Sequence, residues 1–301
     1  EVTVTAGCTE AIAAAIFGLC NPGDEVVLFE PFYDSYRACV AMAGAKARFV
    51  ALRPRGPGAF GSGAFGLDPD ELRAAFGPRT RAVLVNSPHN PTGTVLEEAD
   101  ILQLQALVEG TGIFILSDEV YEHLVYDGLL HQSILRYPDL RERSFVCFSF
   151  GKTYHCTGWK LGYCVAPAPL TKEFRKVHQF NCFSCHTPAQ VALAKYLRQP
   201  ESYLSLSAYM QQKRDYFTGL MQQTRFSLLP SRGSYFICAT YDRISDEADS
   251  DFVMRITKEY GVAAIPVSAF HRSGKDDKVI RFCFCKEEKT LEKAVERLAK
   301  I

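Results

Sequence analysis

Three apolar runs each end in residues that can do chemistry. Arg81–Asn86 leads into Asn86-Ser87-Pro88-His89-Asn90-Pro91-Thr92-Gly93. Ile113–Asp118 leads into Asp118-Glu119-Val120-Tyr121, and Phe145–Phe150 carries Ser149-Phe150-Gly151-Lys152, with Lys160 further on. Open α/β sheets bind ligands beyond the carboxyl ends of their strands. If these runs are adjacent strands, they deliver Asn90, Asp118, Tyr121, Ser149, Lys152 and Lys160 to one edge. Any one of these alone would be an ordinary turn or capping residue. Together they suit one cofactor. A lysine amine condenses with an aldehyde, and a carboxylate beside a pyridine nitrogen keeps that ring protonated as an electron sink. Lys152 and Asp118 could serve pyridoxal phosphate in this way, with Tyr121 and Asn90 donating to its phenolate oxygen. A phosphate dianion favours a helix N-terminus and a cation. Thr9-Glu10-Ala11, opening a helix after Gly7, supplies the first, and Ser149 and Lys160 add a hydroxyl and a charge. Tyr33, at the start of the next helix, can cover the ring.

The elements that must position these residues alternate. Strands are expected at Glu25–Phe29, Ala47–Leu52, Arg81–Asn86, Ile113–Asp118 and Phe145–Phe150. Helices are expected at Thr9–Cys20, Tyr33–Ala43, Asp68–Phe76 and Glu97–Gly110, the first stopped by Asn21-Pro22-Gly23-Asp24. This alternation predicts an α/β fold with a mainly parallel sheet flanked by helices. After about residue 198 the pattern changes. One long helix over Ser202–Gln223 precedes strands at Phe226–Leu229 and Ser234–Tyr241. A helix at Asp251–Tyr260, a strand at Val279–Cys285 and a helix at Glu287–Leu298 follow. The expectation is a cofactor-binding large domain, 1–198, and a smaller α+β domain, 199–301.

The 301 residues carry 34 Lys plus Arg against 34 Asp plus Glu, and that balance argues against a general nucleic-acid binder. No apolar run is long enough to span a membrane. The 11 Cys are odd in number and sit in apolar stretches, so the reading is a cytoplasmic protein without a disulfide framework. Cys182-Phe183-Ser184-Cys185-His186 matches the c-type haem attachment pattern. Haem would need an exported protein, and zinc would need further ligands, for which Cys164 and His178 are candidates. No metal is expected. Gly56–Gly66 contains two overlapping glycine patterns of the dinucleotide type, but it holds Pro57 and has no acidic partner at the required place. It is read as a surface loop.

The combination of Asn86–Gly93, Asp118–Tyr121 and Ser149–Gly162 resembles the class I/II aminotransferases of the fold type I pyridoxal phosphate enzymes. Glu30-Pro31-Phe32-Tyr33-Asp34-Ser35-Tyr36, Gly151–Lys160 and Ile280-Arg281-Phe282-Cys283-Phe284 are most similar to the branch holding kynurenine aminotransferase, glutamine transaminase K and bacterial methionine aminotransferase. The resemblance implies that Lys152 binds the cofactor aldehyde and shuttles the proton, and that Asp118 pairs with the ring nitrogen. It implies that Tyr121 and Asn90 bond the phenolate oxygen and that Tyr33 stacks on the ring. Ser149, Lys160 and the backbone amides of Cys8, Thr9 and Glu10 would hold the phosphate. Asn90 and Arg281 would bind substrate, Arg281 clamping the α-carboxylate, while Phe183 and Ser184 would reach a partner subunit's pocket in a homodimer. The implied reaction moves the amino group of a large neutral amino acid (methionine, aromatic, glutamine or kynurenine) to a 2-oxo acid. No second arginine stands out for a dicarboxylate.

Two departures go with the resemblance. The family carries an N-terminal arm ahead of this start, so an incomplete small domain is expected. Glu10 beside a phosphate is unfavourable unless only its amide points inward. The rival readings are a carbon–sulfur β-lyase on the same fold and the cofactor-sensing domain of a transcription regulator.

Overall fold

Apolar runs without polar alternation form strands where both sheet faces are covered. That is the setting of four of the five expected strands in the computed structural model, which describes residues 1–54 and 65–301; the fifth, at Ala47–Leu52, is an edge strand with Lys46 and Arg48 exposed. Gly56–Ala64, most of the expected glycine-rich loop, lies outside the described residues. The large sheet uses β1 (Val2–Thr5), β2 (Glu25–Glu30), β3 (Lys46–Ala51), β4 (Thr80–Asn86), β5 (Phe114–Asp118), β6 (Ser144–Ser149) and β7 (Gly162–Val165). Its order is β1-β7-β6-β5-β4-β2-β3. From β3 to β6 every pair is parallel. The short β7 is antiparallel to both β6 and β1.

Helices cover both faces. On one face α1 (Gly7–Leu19) and α2 (Asp34–Met42) bury Ile12, Ile16, Tyr36 and Val40 against Val26, Leu84 and Leu116. On the other, α3 (Pro69–Ala75) and α4 (Glu98–Val108) bury Leu72, Ile101 and Leu104 against Val27, Val83 and Ile115. Gly162 allows a close approach where β7 meets β6 and the start of α1. A Cβ there would lie 2.4 Å from the Phe148 carbonyl oxygen and 2.9 Å from the Cys8 nitrogen, so no other residue fits without backbone movement.

The C-terminal part forms a second, antiparallel sheet. Its strands are β8 (Ser227–Leu228), β9 (Phe236–Thr240), β10 (Ile265–Pro266) and β11 (Val279–Cys283), in the order β8-β9-β11-β10. Phe217, Phe226, Phe252, Phe282 and Phe284 fill its core. Tyr121, Leu124 and Tyr126, just after β5, enter this same core. The two layers therefore meet at the carboxyl end of β5.

Two expectations are corrected. The long helix over Ser202–Gln223 is divided into Glu201–Leu204 and Leu206–Met221. At the division the Ser205 hydroxyl donates to the Glu201 carbonyl at 2.6 Å, a local bond that competes with regular helix. The strand expected from Ser234 begins at Phe236, because Ser234 has φ 63°, in the left-handed region and outside extended backbone. Among the described residues no helix is long and apolar enough to cross a membrane.

Candidate active site

The carboxyl ends of β4, β5 and β6 and the second sheet enclose a cleft of about 500 Å³. Its walls include Gly7, Cys8, Thr9, Tyr33, Asn90, Asp118, Tyr121, Ser149, Lys152, Lys160 and Arg281. Eleven positions so distant in sequence converge because the parallel strands point their polar ends the same way. Asn86 and Asp118 are direct neighbours in the register. The Asn86 amide donates to the Asp118 carbonyl at 2.9 Å, and its side-chain oxygen accepts from the Asn90 backbone N–H at 3.0 Å. Asn86 thus fixes the turn that carries Asn90.

Asp118 is buried. One carboxylate oxygen accepts from the Tyr36 hydroxyl at 2.6 Å, and the other accepts from the Val120 N–H at 3.2 Å. The Cys8 thiol lies beside it and favours its charged form. Burial pushes the Asp118 carboxyl above its usual value, and the bonds from Tyr36 and Val120, with the Cys8 thiol, oppose that rise. Burial, with Asp118 beside it, holds the Tyr36 phenol well above its ordinary value, so Tyr36 stays a donor. Tyr36 was missed in the sequence reading. The available signal was its spacing: Tyr33 and Tyr36 are three apart at the start of α2, so they share a helix face. Their rings meet edge to face with centroids 5.7 Å apart. Tyr36→Phe should raise the acid limb of kcat/KM by about one to two pH units, because a hydrogen bond to a charged group is worth about 1.5–3 kcal/mol. A pH–rate profile checks this, and an unmoved acid limb would remove Tyr36 from the site.

Lys152 lies on the single turn Phe150–Thr153, whose first N–H groups are capped by Ser149 accepting from Gly151 at 3.2 Å. The Lys152 amine has no hydrogen bond or ion pair among the described residues. Its nearest aromatic partner is the Tyr235 ring, 5.7 Å from the nitrogen. Tyr235 also packs edge-on against Tyr121, with centroids 5.3 Å apart. Burial and then Tyr235 raise the Tyr121 phenol well above its ordinary value.

The N-terminus of α1 has no side-chain cap. Gly7, at φ +80°, brings the chain into the helix. A Cβ on Gly7 would sit 3.6 Å from both Cε and Nζ of Lys160, so the Lys160 ammonium stands beside the helix end. The left-handed backbone of Lys160, φ 51°, aims it there. Glu10 turns its carboxylate away: one oxygen accepts from the Ala6 N–H at 3.1 Å and the other meets His178 Nδ1 at 3.1 Å. With its carboxylate held by Ala6 and His178, the conflict between a carboxylate and a phosphate is removed.

Arg281, in β11, lies over the Phe236 ring at 3.9 Å and the Phe270 ring at 5.1 Å. One of its N–H groups donates to the Asn90 side-chain oxygen. Burial lowers its pKa from the ordinary value. Glu10, Phe183 and Ser184 are the expected residues that do not line this cleft. Phe183 is 81% exposed.

The donor set fits pyridoxal phosphate. The cleft holds an amine without a partner, a buried carboxylate, an aromatic wall and an uncapped helix N-terminus with a lysine beside it. A dianion is stabilised by that last pair.

Residues 1–298 match the family model described as aminotransferase class I and II. Escherichia coli methionine aminotransferase is 47% identical over 100% of this chain and 76% of its own length. Mouse kynurenine–oxoglutarate transaminase 3 is 38% identical over 98% of this chain and 70% of its own. A solved Escherichia coli structure described as having a methionine aminotransferase function superposes with a TM-score of 0.94 at 47% identity, covering 100% of this chain and 78% of that one.

Proposed function

Because the chain belongs to the class I and II aminotransferases, enzymes of the fold type I architecture, we propose that it carries the amino group of a large neutral L-amino acid to a 2-oxo acid, with pyridoxal phosphate in the cleft described above. The observation that carries this reading is the unpartnered Lys152 amine sharing one cleft with buried Asp118 and with Arg281. Methionine leads the candidate donors, since the relative at 47% identity acts on it. Aromatic amino acids, glutamine and kynurenine follow. Among the described residues the cleft has one arginine, and Phe236, Phe270, Tyr33 and Ile265 make much of the rest of its wall apolar. That lining suits a neutral side chain better than a second carboxylate.

When bound, pyridoxal phosphate supplies a protonated ring that accepts the electrons of the substrate's Cα–H bond. The chain's own residues do the rest. The Arg281 guanidinium, braced on Phe236 and Asn90, offers a planar fork to the α-carboxylate. That grip orients the Cα hydrogen toward Lys152. Lys152 Nζ takes this proton and returns one on the opposite half-reaction, as a general base and then a general acid. Asp118 holds the ring-nitrogen proton in place, with Tyr36 keeping its carboxylate oriented. The Tyr121 hydroxyl and the Asn90 amide serve the phenolate oxygen. The N–H groups of Cys8, Thr9 and Glu10, the Ser149 hydroxyl and the Lys160 ammonium hold the phosphate, and Tyr33 covers the ring. The working unit in this reading is a cytoplasmic homodimer. Exposed Phe183, with Ser184, enters the partner's substrate pocket, and residues 1–198 and 199–301 act as large and small domains.

The test uses absorption. The cofactor's visible band should be lost on adding L-methionine without acceptor and regained on adding a 2-oxo acid. If the band persists with every neutral donor, the substrate assignment fails. Pyruvate released from a cysteine conjugate without acceptor would replace transamination by β-elimination.

A further inference from the structure

Outside the cleft, the end of the helix Ala168–Asn181 gathers three metal-binding side chains. One ligand atom each from His178, Cys182 and Cys185 lies within 4.8 Å of the others. The helix sets His178 and Cys182 one turn apart. A tight turn then brings Cys185 back: the N–H groups of Cys182 and Phe183 both donate to the His178 carbonyl, at 3.0 and 3.1 Å. Ser184 N–H donates to the Cys182 carbonyl at 2.7 Å. Phe183, at the crest, has φ 61°, a costly conformation for an aromatic residue that its surroundings must hold in place.

The two sulfurs are 3.6 Å apart. A disulfide requires about 2.05 Å. Two thiolates on one tetrahedral zinc, each at about 2.3 Å, sit roughly 3.8 Å apart. The spacing therefore matches a shared ion more closely than a bond. The ring of His178 is held from outside the group by the Glu10 carboxylate, 3.1 Å from Nδ1. A carboxylate behind a metal-bound imidazole is the usual supporting contact. Cys185 is buried, and His178 and Cys182 are half-buried, so the ligands are shielded while one side stays reachable from solvent. The sequence reading weighed Cys164 and His178 as extra ligands. The structure selects His178, while Cys164 sits opposite Cys147 in the β6–β7 register.

We propose that His178, Cys182 and Cys185 form a binding site for one zinc ion, with water in the fourth position. Thiolate and imidazole ligands suit zinc and exclude magnesium and calcium. Binding turns two thiols into thiolates and releases their two protons, and the two thiolates balance the charge of the ion. The ion ties both ends of the turn that carries Phe183 and Ser184. The site stands apart from the cofactor cleft, so its metal content and sulfur coordination are read independently of the aminotransferase reading, which enters only the folding control.

The test uses the full chain with its cofactor bound. The protein is reduced, loaded with zinc chloride, passed over a weak chelating resin and analysed for metal. X-ray absorption at the zinc edge then reads the ligand shell. About one zinc per chain should remain, with two sulfurs near 2.3 Å. The double variant Cys182→Ser/Cys185→Ser should retain at least about tenfold less zinc and keep the cofactor's absorbance, which reports that it has folded. The single Cys182→Ser variant, at a half-buried position, serves if the double variant fails to fold. Equal retention in the variants, or a shell without sulfur, overturns the proposal. A reduced chain that takes up no zinc while air joins Cys182 to Cys185 overturns it too, in favour of a redox pair.

Discussion

Lys152→Ala lowers kcat by at least about 10⁴-fold, since both the amine that binds the cofactor aldehyde and the base that moves the Cα proton are lost together. The rest of the cleft gives no substitute at that position. Lys160 stands beside Gly7 at the start of α1, at the proposed phosphate site. His89 is buried and bonded to Thr92 at 2.8 Å, and burial pushes its pKa down to about 4. A second readout separates loss of chemistry from loss of structure. Borohydride should fix the cofactor covalently to the wild-type chain and not to the variant, while the thermal midpoint changes little. Transamination by the variant above about one part in 10³ would remove Lys152 from its role.

Asp118→Asn should lower kcat by about 10²–10³-fold, the range seen when one preorganised electrostatic partner is removed. The shape of the site survives, because the amide oxygen can still accept from the Val120 N–H while the amide NH2 donates to the Tyr36 hydroxyl oxygen, whose own proton turns away. What disappears is the negative charge that holds a proton on the ring nitrogen. Stability should move the other way. Burial raises the Asp118 carboxyl above its usual value, so the folded chain holds that proton more tightly than the unfolded one. Such a group loses relative stability as pH rises from its unfolded value through its folded one. The cofactor-free variant should therefore melt no lower than the wild type at neutral pH. Thermal scans of both chains at acid and neutral pH, with rates on the loaded enzymes, check the two halves. A variant that is both active and less stable would make Asp118 a structural residue.

Legibility in the sequence followed how local each cause was. Four of the five parallel strands were readable because a run buried on both faces is nearly apolar throughout; the edge strand Lys46–Ala51 carries exposed Lys46 and Arg48 and was readable from its place in the strand–helix alternation. Asn90, Asp118, Tyr121, Ser149 and Lys152 were readable because each stands just beyond such a run. Arg281 and the phosphate-holding role proposed for Cys8 came only from resemblance. The short β7 was not assigned: four residues, Gly162–Val165, carry too little pattern, and their place is set by contacts with Phe148 and Cys8. Tyr36 reads as a buried residue of α2. That its hydroxyl reaches Asp118, 82 positions later, depends on how α2 packs over the sheet.

The sequence by itself determined the strand–helix alternation, the parallel sheet and the line of polar residues at strand ends, because those depend on neighbours within a few positions. The tertiary structure decided what the side chains at those ends touch. It turned the Glu10 carboxylate toward Ala6 and His178, put the Cys8 thiol beside Asp118, and chose His178 over Cys164 beside Cys182 and Cys185. Each of these rests on where a helix end lies against a distant segment. Contacts of that kind are settled by packing across the whole fold, and no spacing within the chain encodes them.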